Sequence, residues 1–193
     1  PIISLSQIEG KQHDQLILRG ATIINSTGAP PLGPVDIVIE KNIITRIQNV
    51  GYPGVPINEN RRPKLSKNGV EINCEGNYVM PGFIDTHGHI GGRSQGASPD
   101  YVFKLWMAHG VTTIREPGGS LSHKLKLELK NKSEKNLIVA PRIYAFSTFN
   151  SRLKSPEEAR DWVRENAKKG SDGIKFFGAA PDIMQAAIEE NKN

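Results

Sequence analysis

Apolar and polar positions keep one rhythm along the first third of the chain and another beyond it. Residues 16–25, LILRGATIIN, alternate apolar and β-branched positions with small or polar ones, the period-two pattern of a half-buried strand. Ser26-Thr27-Gly28-Ala29-Pro30-Pro31 breaks that run with turn residues. Val35 to Glu40 and Ile43 to Ile47 repeat the strand pattern around a tight turn at Lys41-Asn42. Residues 51–69, rich in Gly, Pro, Asn and basic side chains, read as a long surface loop, after which Val70 to Cys74 resumes strand character. Residues 1 to about 14 show no clear period.

From Tyr78 the alternation becomes strand, helix, strand, helix. An apolar run ends at His89, and a helix over Asp100 to Ala108 follows, entered through Ser98-Pro99. Val111 to Arg115 reads as a strand, Leu121 to about Lys132 as a helix, and Leu137 to Phe146 contains a further strand. Ser155 and Glu158 have capping-box spacing, and Ala159, Trp162, Val163 and Ala167 form the apolar stripe of the helix they open. Ile174 to Phe177 is a fourth strand, and a helix through Met184, Ala187 and Ile188 closes the chain. Four βα units in series imply a parallel sheet with right-handed crossovers. A complete (β/α)8 barrel takes eight such units and about 250 residues, so residues 78–193 amount to about half of one.

The chemistry concentrates where the first of these strands ends, in Val79-Met80-Pro81-Gly82-Phe83-Ile84-Asp85-Thr86-His87-Gly88-His89. Residues two apart on a strand share a face, so His87 and His89 are expected side by side, with Gly88 allowing close approach. Two imidazoles at a strand end suit a divalent transition metal, zinc first. By the same parity Asp85 points inward; an orienting role toward the histidines and a plain polar contact at the barrel bottom both stay open. Lys175 alternates with Ile174 and Phe176, which pack under helices, so its ammonium faces the barrel interior and needs a partner there. His109 sits before a strand, at the end away from the pair, and His123 on an exposed-looking helix; neither they nor His13 is assigned to metal. Arg115 and Glu116, followed by Pro117-Gly118-Gly119, end the second strand on the face of the paired histidines, and a structural turn is the favoured reading of Glu116. Tyr144, Phe146 and Ser147 either line the pocket or pack in the ordinary way, with equal weight, and the Gly- and Ser-rich loop of residues 91–98 either covers substrate or merely connects.

These segments resemble the amidohydrolase superfamily of metal-dependent hydrolases. YVMPGFIDTHGHI is similar to its first barrel strand, LILRGATIINSTG with VDIVIEKNIITRI to the small β-domain before the barrel, HGVTTIREPGG to the second strand, and GSDGIKFFG to the fourth strand of members with a metal-bridging lysine. The resemblance runs from about Gln15 to the end, and departs at Glu116, where relatives prefer Asp. It implies an α/β fold: the N-terminal half of a (β/α)8 TIM-like barrel, residues 78–193, preceded by a small β-sandwich-type domain, residues 1–77. It also implies a metal site of His87, His89 and Lys175, with one or two divalent ions, and a CO2-derived carbamate on Lys175 bridging a binuclear centre. The remaining histidine ligands and the proton-shuttling aspartate belong to later strands of such barrels. They are expected beyond Asn193, and no catalytic residue is assigned within these 193 residues.

The function expected on this resemblance is hydrolysis of an amide C–N bond by a metal-activated water, with prolidase- and imidazolonepropionase-like wording and a small amide or dipeptide-like substrate. The alternatives are a dihydroorotase- or hydantoinase-like cyclic amide hydrolase and a non-catalytic fragment or subunit that needs a partner half, whether a C-terminal half or a homo-oligomer. Bulk properties narrow the field. The net charge of +5 is spread over scattered Lys and Arg, read as solvated faces, which argues against a nucleic-acid partner. No apolar run is as long as a membrane span. A single cysteine, Cys74, excludes an internal disulfide. The chain opens on Pro1 without an initiator Met, which implies processing or trimming.

Overall fold

The computed structural model describes residues 13–192, so the expectation for residues 1–12 lies outside the described residues. Asn193 lies outside them too, and the expectation that the proton-shuttling aspartate follows it concerns residues that this chain does not contain. The described residues divide into two compact units between Pro81 and Gly82.

The first unit is one mixed five-stranded sheet. β1 (Gln15–Ile23) pairs antiparallel with β2 (Leu32–Glu40), and β2 pairs antiparallel with β3 (Ile43–Asn49). Glu40 sits opposite Ile43, so Lys41-Asn42 forms the expected two-residue turn, Lys41 at a φ of 56°. On the other edge of β1 lie β4 (Val70–Asn73) and then β5 (Tyr78–Val79), both parallel to it. Ala21, Val35 and Ile37 form its buried centre. The sandwich expected from the sequence is not present among the described residues: the strands share one sheet because β4 and β5 occupy successive stretches of one edge of β1 and build no second layer.

The second unit is a parallel four-stranded sheet in sequence order, β6 (Phe83–Asp85), β7 (Val111–Glu116), β8 (Arg142–Thr148) and β9 (Gly173–Lys175). α1 (Pro99–Ala108), α2 (His123–Glu134), α3 (Pro156–Lys168) and α4 (Pro181–Glu190) connect and follow the strands. The helix starts follow from their caps. The Ser98, Ser122 and Ser155 hydroxyls accept backbone N–H bonds from Tyr101, Leu125 and Glu158, and Pro occupies the first turn of α1, α3 and α4. The Glu158 carboxylate returns a bond to the Lys154 N–H at 2.7 Å, one residue ahead of the Ser155 cap.

One face of this sheet is covered by helices. Ile114, Ile143 and Ala145 pack with Phe103 of α1 and Leu129 of α2, and Ile90 joins them. Further on, Ala159 and Val163 of α3 pack with Ile183, Ala186 and Ala187 of α4, with Ile174 and Phe176 against them. The other face is open. Ile84 and Tyr144 on it are 66% and 42% exposed, and Phe83, at the start of β6, and Phe177, past the end of β9, are 57% and 78% exposed, so the run before His87 is not the buried strand its composition implies. The run is also broken: Tyr78–Val79 pairs with β1 in the first unit, whereas pairing with β7 begins only at Phe83. Two smaller expectations change. Ala167 is exposed, and the half-buried Asn166 takes the inward place beside it. Lys126, read as part of a solvated face, is 2% exposed, with its ammonium donating to the Phe146 carbonyl at 3.0 Å.

Candidate functional site

Because the four strands are parallel, Asp85, Glu116, Thr148 and Lys175 all close their strands at the same end of the sheet. His87 and His89 are at that end too, but not by strand alternation. β6 stops at Asp85, whose carboxylate accepts the His87 backbone N–H at 2.8 Å. That bond turns the chain out of the ladder, and both histidines lie in the loop that follows. Asp85 therefore acts on the backbone of the histidine loop. The loop stays tied to β7: Gly88 N–H donates to the Arg115 carbonyl at 3.1 Å, and the Arg115 guanidinium donates to the Thr86 carbonyl. The two rings stand edge to face, centroids 5.7 Å apart. Gly88 is buried between them, and a methyl there would come within 2.6 Å of Ile114 Cδ1.

His89 is half-buried, and its Nδ1 lies 3.1 Å from Glu116 Oε1. Glu116 is fully buried, and its carboxylate also accepts the backbone N–H groups of Ile90 at 2.8 Å, Gly118 at 2.8 Å and Gly119. Burial pushes this carboxyl up, but the bonds from Ile90, His89, Gly118 and Gly119 outweigh it and hold it below the ordinary carboxylate range. The turn reading of Glu116 is thus right for the backbone and incomplete for the side chain. The signal was in the sequence: Gly118-Gly119, one residue past the strand-end carboxylate, leave their N–H groups free to wrap it.

Lys175 lies at the end of β9, half-buried, on the face opposite Ile174 and Phe176. Its ammonium sits 5.2 Å from the Phe177 ring centroid. A side chain at Gly118, whose φ is 112°, would approach Lys175 Cγ at 3.5 Å and Thr148 Oγ1 at 2.6 Å. Hydrogen bonds therefore run from His89 through Glu116 to Gly118, and Lys175 lies close by at the same end of the sheet. Among the described residues no three His, Cys, Asp or Glu side chains gather into a metal-binding group.

The other candidates separate by strand parity. Phe146 lies on the open face under the Arg115 guanidinium, 5.3 Å from its ring centroid, with Tyr144 beside it. Ser147 points the other way, is 2% exposed, and bonds His123 Nε2 at 3.1 Å, Asn166 Oδ1 at 3.0 Å and Ser171 Oγ at 3.0 Å. It joins helices to the sheet and does not line the open face. His123 is thus half-buried and bonded, not exposed; burial and then the charges of Lys126 and Lys169 push its imidazole down. His109 caps α1 and donates from Nδ1 to the Leu105 carbonyl at 2.8 Å. Gln95, in the loop after the histidines, accepts from the Ser120 hydroxyl at 2.9 Å, which ties that loop to the turn after β7.

A parallel βα sheet with paired imidazoles just past its first strand defines a class: barrel-type α/β domains whose chemistry sits at the C-terminal strand ends. Comparison with known proteins narrows the class. No family model matches the chain. It is 48% identical over 105 residues to adenine deaminase 2 of Desulfotalea psychrophila, a stretch covering 54% of this chain and 15% of that enzyme. It is 26% identical over 153 residues to the N-acyl-D-aspartate deacylase of Alcaligenes xylosoxydans xylosoxydans, covering 79% of this chain and 25% of that enzyme. Among solved structures, a putative prolidase from Bifidobacterium longum matches with a TM-score of 0.68 and 25% identity, covering 94% of this chain and 47% of that one. A bottromycin amidohydrolase matches with a TM-score of 0.72 and 15% identity, covering 98% and 39%. These matches point to the amidohydrolase superfamily over part of the chain, which spans about half the length, or less, of the relatives it matches.

Proposed function

We propose that this chain carries the first metal-binding half of a hydrolase that cleaves a C–N bond, an amide in a small N-acyl or dipeptide-like substrate. The observation that carries the reading is the pair of imidazoles at the C-terminal strand ends, one of them anchored through Nδ1 and so free to bind through Nε2. His87, His89 and Lys175 are the residues that would hold divalent metal, zinc first; the donor chemistry fits, and the ligand set is completed from outside these residues. Bound metal lowers the pKa of a water and polarises the carbonyl it faces. In the hydrolysis, the water oxygen bonds to the carbonyl carbon, the C–N bond breaks, and the water's proton passes to the leaving nitrogen. Lys175 would contribute by reacting as the free amine with CO2: an N–C bond forms, the amine loses a proton, and the resulting carbamate anion would supply oxygen donors to divalent metal. The open inner face and the greater length of the relatives support a second half-barrel, continuing past Asn193 or carried by a partner, that supplies the remaining strands and the proton-shuttling aspartate.

A second reading is favoured by the sequence matches specifically. If this chain acts as the adenine deaminases it resembles do, the bond cleaved is an exocyclic C–N of adenine and ammonia leaves. One assay separates the two. The protein, completed by its second half and loaded with zinc in bicarbonate, is presented with N-acyl amino acids, dipeptides and adenine. Metal-dependent amine release from the amides, lost in Lys175→Ala, is the expected result; ammonia release from adenine alone selects the second reading. Metal-independent turnover would rule out both.

A further inference from the structure

We propose that Glu116 is a positioning residue for His89: its carboxylate fixes the ring in the Nδ1–H tautomer and so turns an unprotonated Nε2 outward. The inference rests on the metal-binding reading above for its use, but not for its geometry.

Four donors converge on this one buried carboxylate, from His89, Ile90, Gly118 and Gly119. The three backbone N–H groups can only donate, so the acceptor between them is best served by full ionisation. Oε1 already receives Gly118 and Gly119 and has no room to carry a proton toward His89. The proton in the 3.1 Å contact therefore belongs to Nδ1, which leaves the lone pair on Nε2. The Ile90 bond to Oε2 holds the backbone directly after His89, so ring and main chain are fixed by the same group. The space is shaped for this contact. A side chain at Gly119 would stand 3.1 Å from both Glu116 Oε1 and His89 Nδ1 and press into the bond. The buried charge is not isolated: the Lys126 ammonium is itself buried, and although burial pushes it down, the Glu116 charge opposes that shift.

A glutamate suits this reach better than an aspartate. One more methylene lets a carboxylate rooted on the helix-facing parity of β7, with Ile114, curl over the strand end to reach His89.

The test is two-bond proton–nitrogen NMR on the metal-free protein completed by its second half, with 15N-histidine in this chain, together with zinc titration. His89 is expected as Nδ1–H in the parent. In Glu116→Gln, whose amide cannot serve all four donors, the tautomers should mix and zinc affinity fall about 10- to 100-fold. Glu116→Asp, which keeps the anion, should recover the Nδ1–H signal in part. An Nε2–H ring in the parent would overturn the proposal. So would a tautomer and a zinc affinity unchanged in a folded Glu116→Gln variant. If the tautomer responds as stated while neither protein binds zinc, the positioning stands and the metal reading falls.

Discussion

A single buried hydroxyl and the ring bonded to it show how the polar interior of the second unit is organised. Ser147 offers one proton and two lone pairs to His123, Asn166 and Ser171, so the ring takes whichever role the others leave. His123 is held neutral by burial and by Lys126 and Lys169, so its folded pKa lies below the ordinary 6.5. A depressed pKa means that the unfolded chain binds the extra proton first. The stability His123 contributes is therefore fully present above about pH 6.5 and is lost as the pH falls through the folded value. His123→Gln should flatten the fall in urea stability on acidification over that range. An identical pH profile in the variant would show that the ring is not coupled to folding.

At the scale of elements, backbone bonds decide where the histidines stand. The βα rhythm, the helix entries at Ser98 and Ser155 and the split between Ile174, Phe176 and Lys175 could all be read from residue order, because periodicity and capping are local. The site was only half readable. Alternation placed His87 and His89 together, yet their proximity comes from a loop that Asp85 turns and Arg115 holds, since the strand ends too early to align them. Glu116 escaped because parity sets it on the helix side with Ile114; its return to His89 depends on a Gly-Gly turn whose geometry no period encodes. The exposure of Phe83 and Ile84 escaped for another reason: an apolar run looks the same whether the wall that would cover it is present or not. The loop argument makes a direct prediction. Gly88→Ala drives a methyl against Ile114 and Trp106, and overpacking of this kind costs about 1–3 kcal/mol. Chemical denaturation should show that loss together with weaker metal binding. A stability within about 0.5 kcal/mol of the parent would mean the histidine loop is looser than its contacts imply.

For the whole molecule, an uncovered sheet face governs behaviour. β6 and β9 each pair on one side only, and Phe83, Ile84, Tyr144 and Phe177 are exposed apolar side chains of this unit. Open strand edges and apolar patches promote association. The 193 residues expressed alone should therefore sediment as oligomers or aggregates and show no amidase turnover, and co-expression with a second half-barrel should restore a soluble protein. A cooperatively folding monomer with metal-dependent turnover would refute the half-barrel account.

The central claim is that His87 and His89 hold metal, and elemental analysis after gel filtration tests it most directly. The protein completed by its second half and equilibrated with zinc is expected to retain bound metal, and the His87→Ala/His89→Ala double variant to lose at least one equivalent while keeping its circular dichroism. A folded double variant with unchanged zinc content would contradict the account.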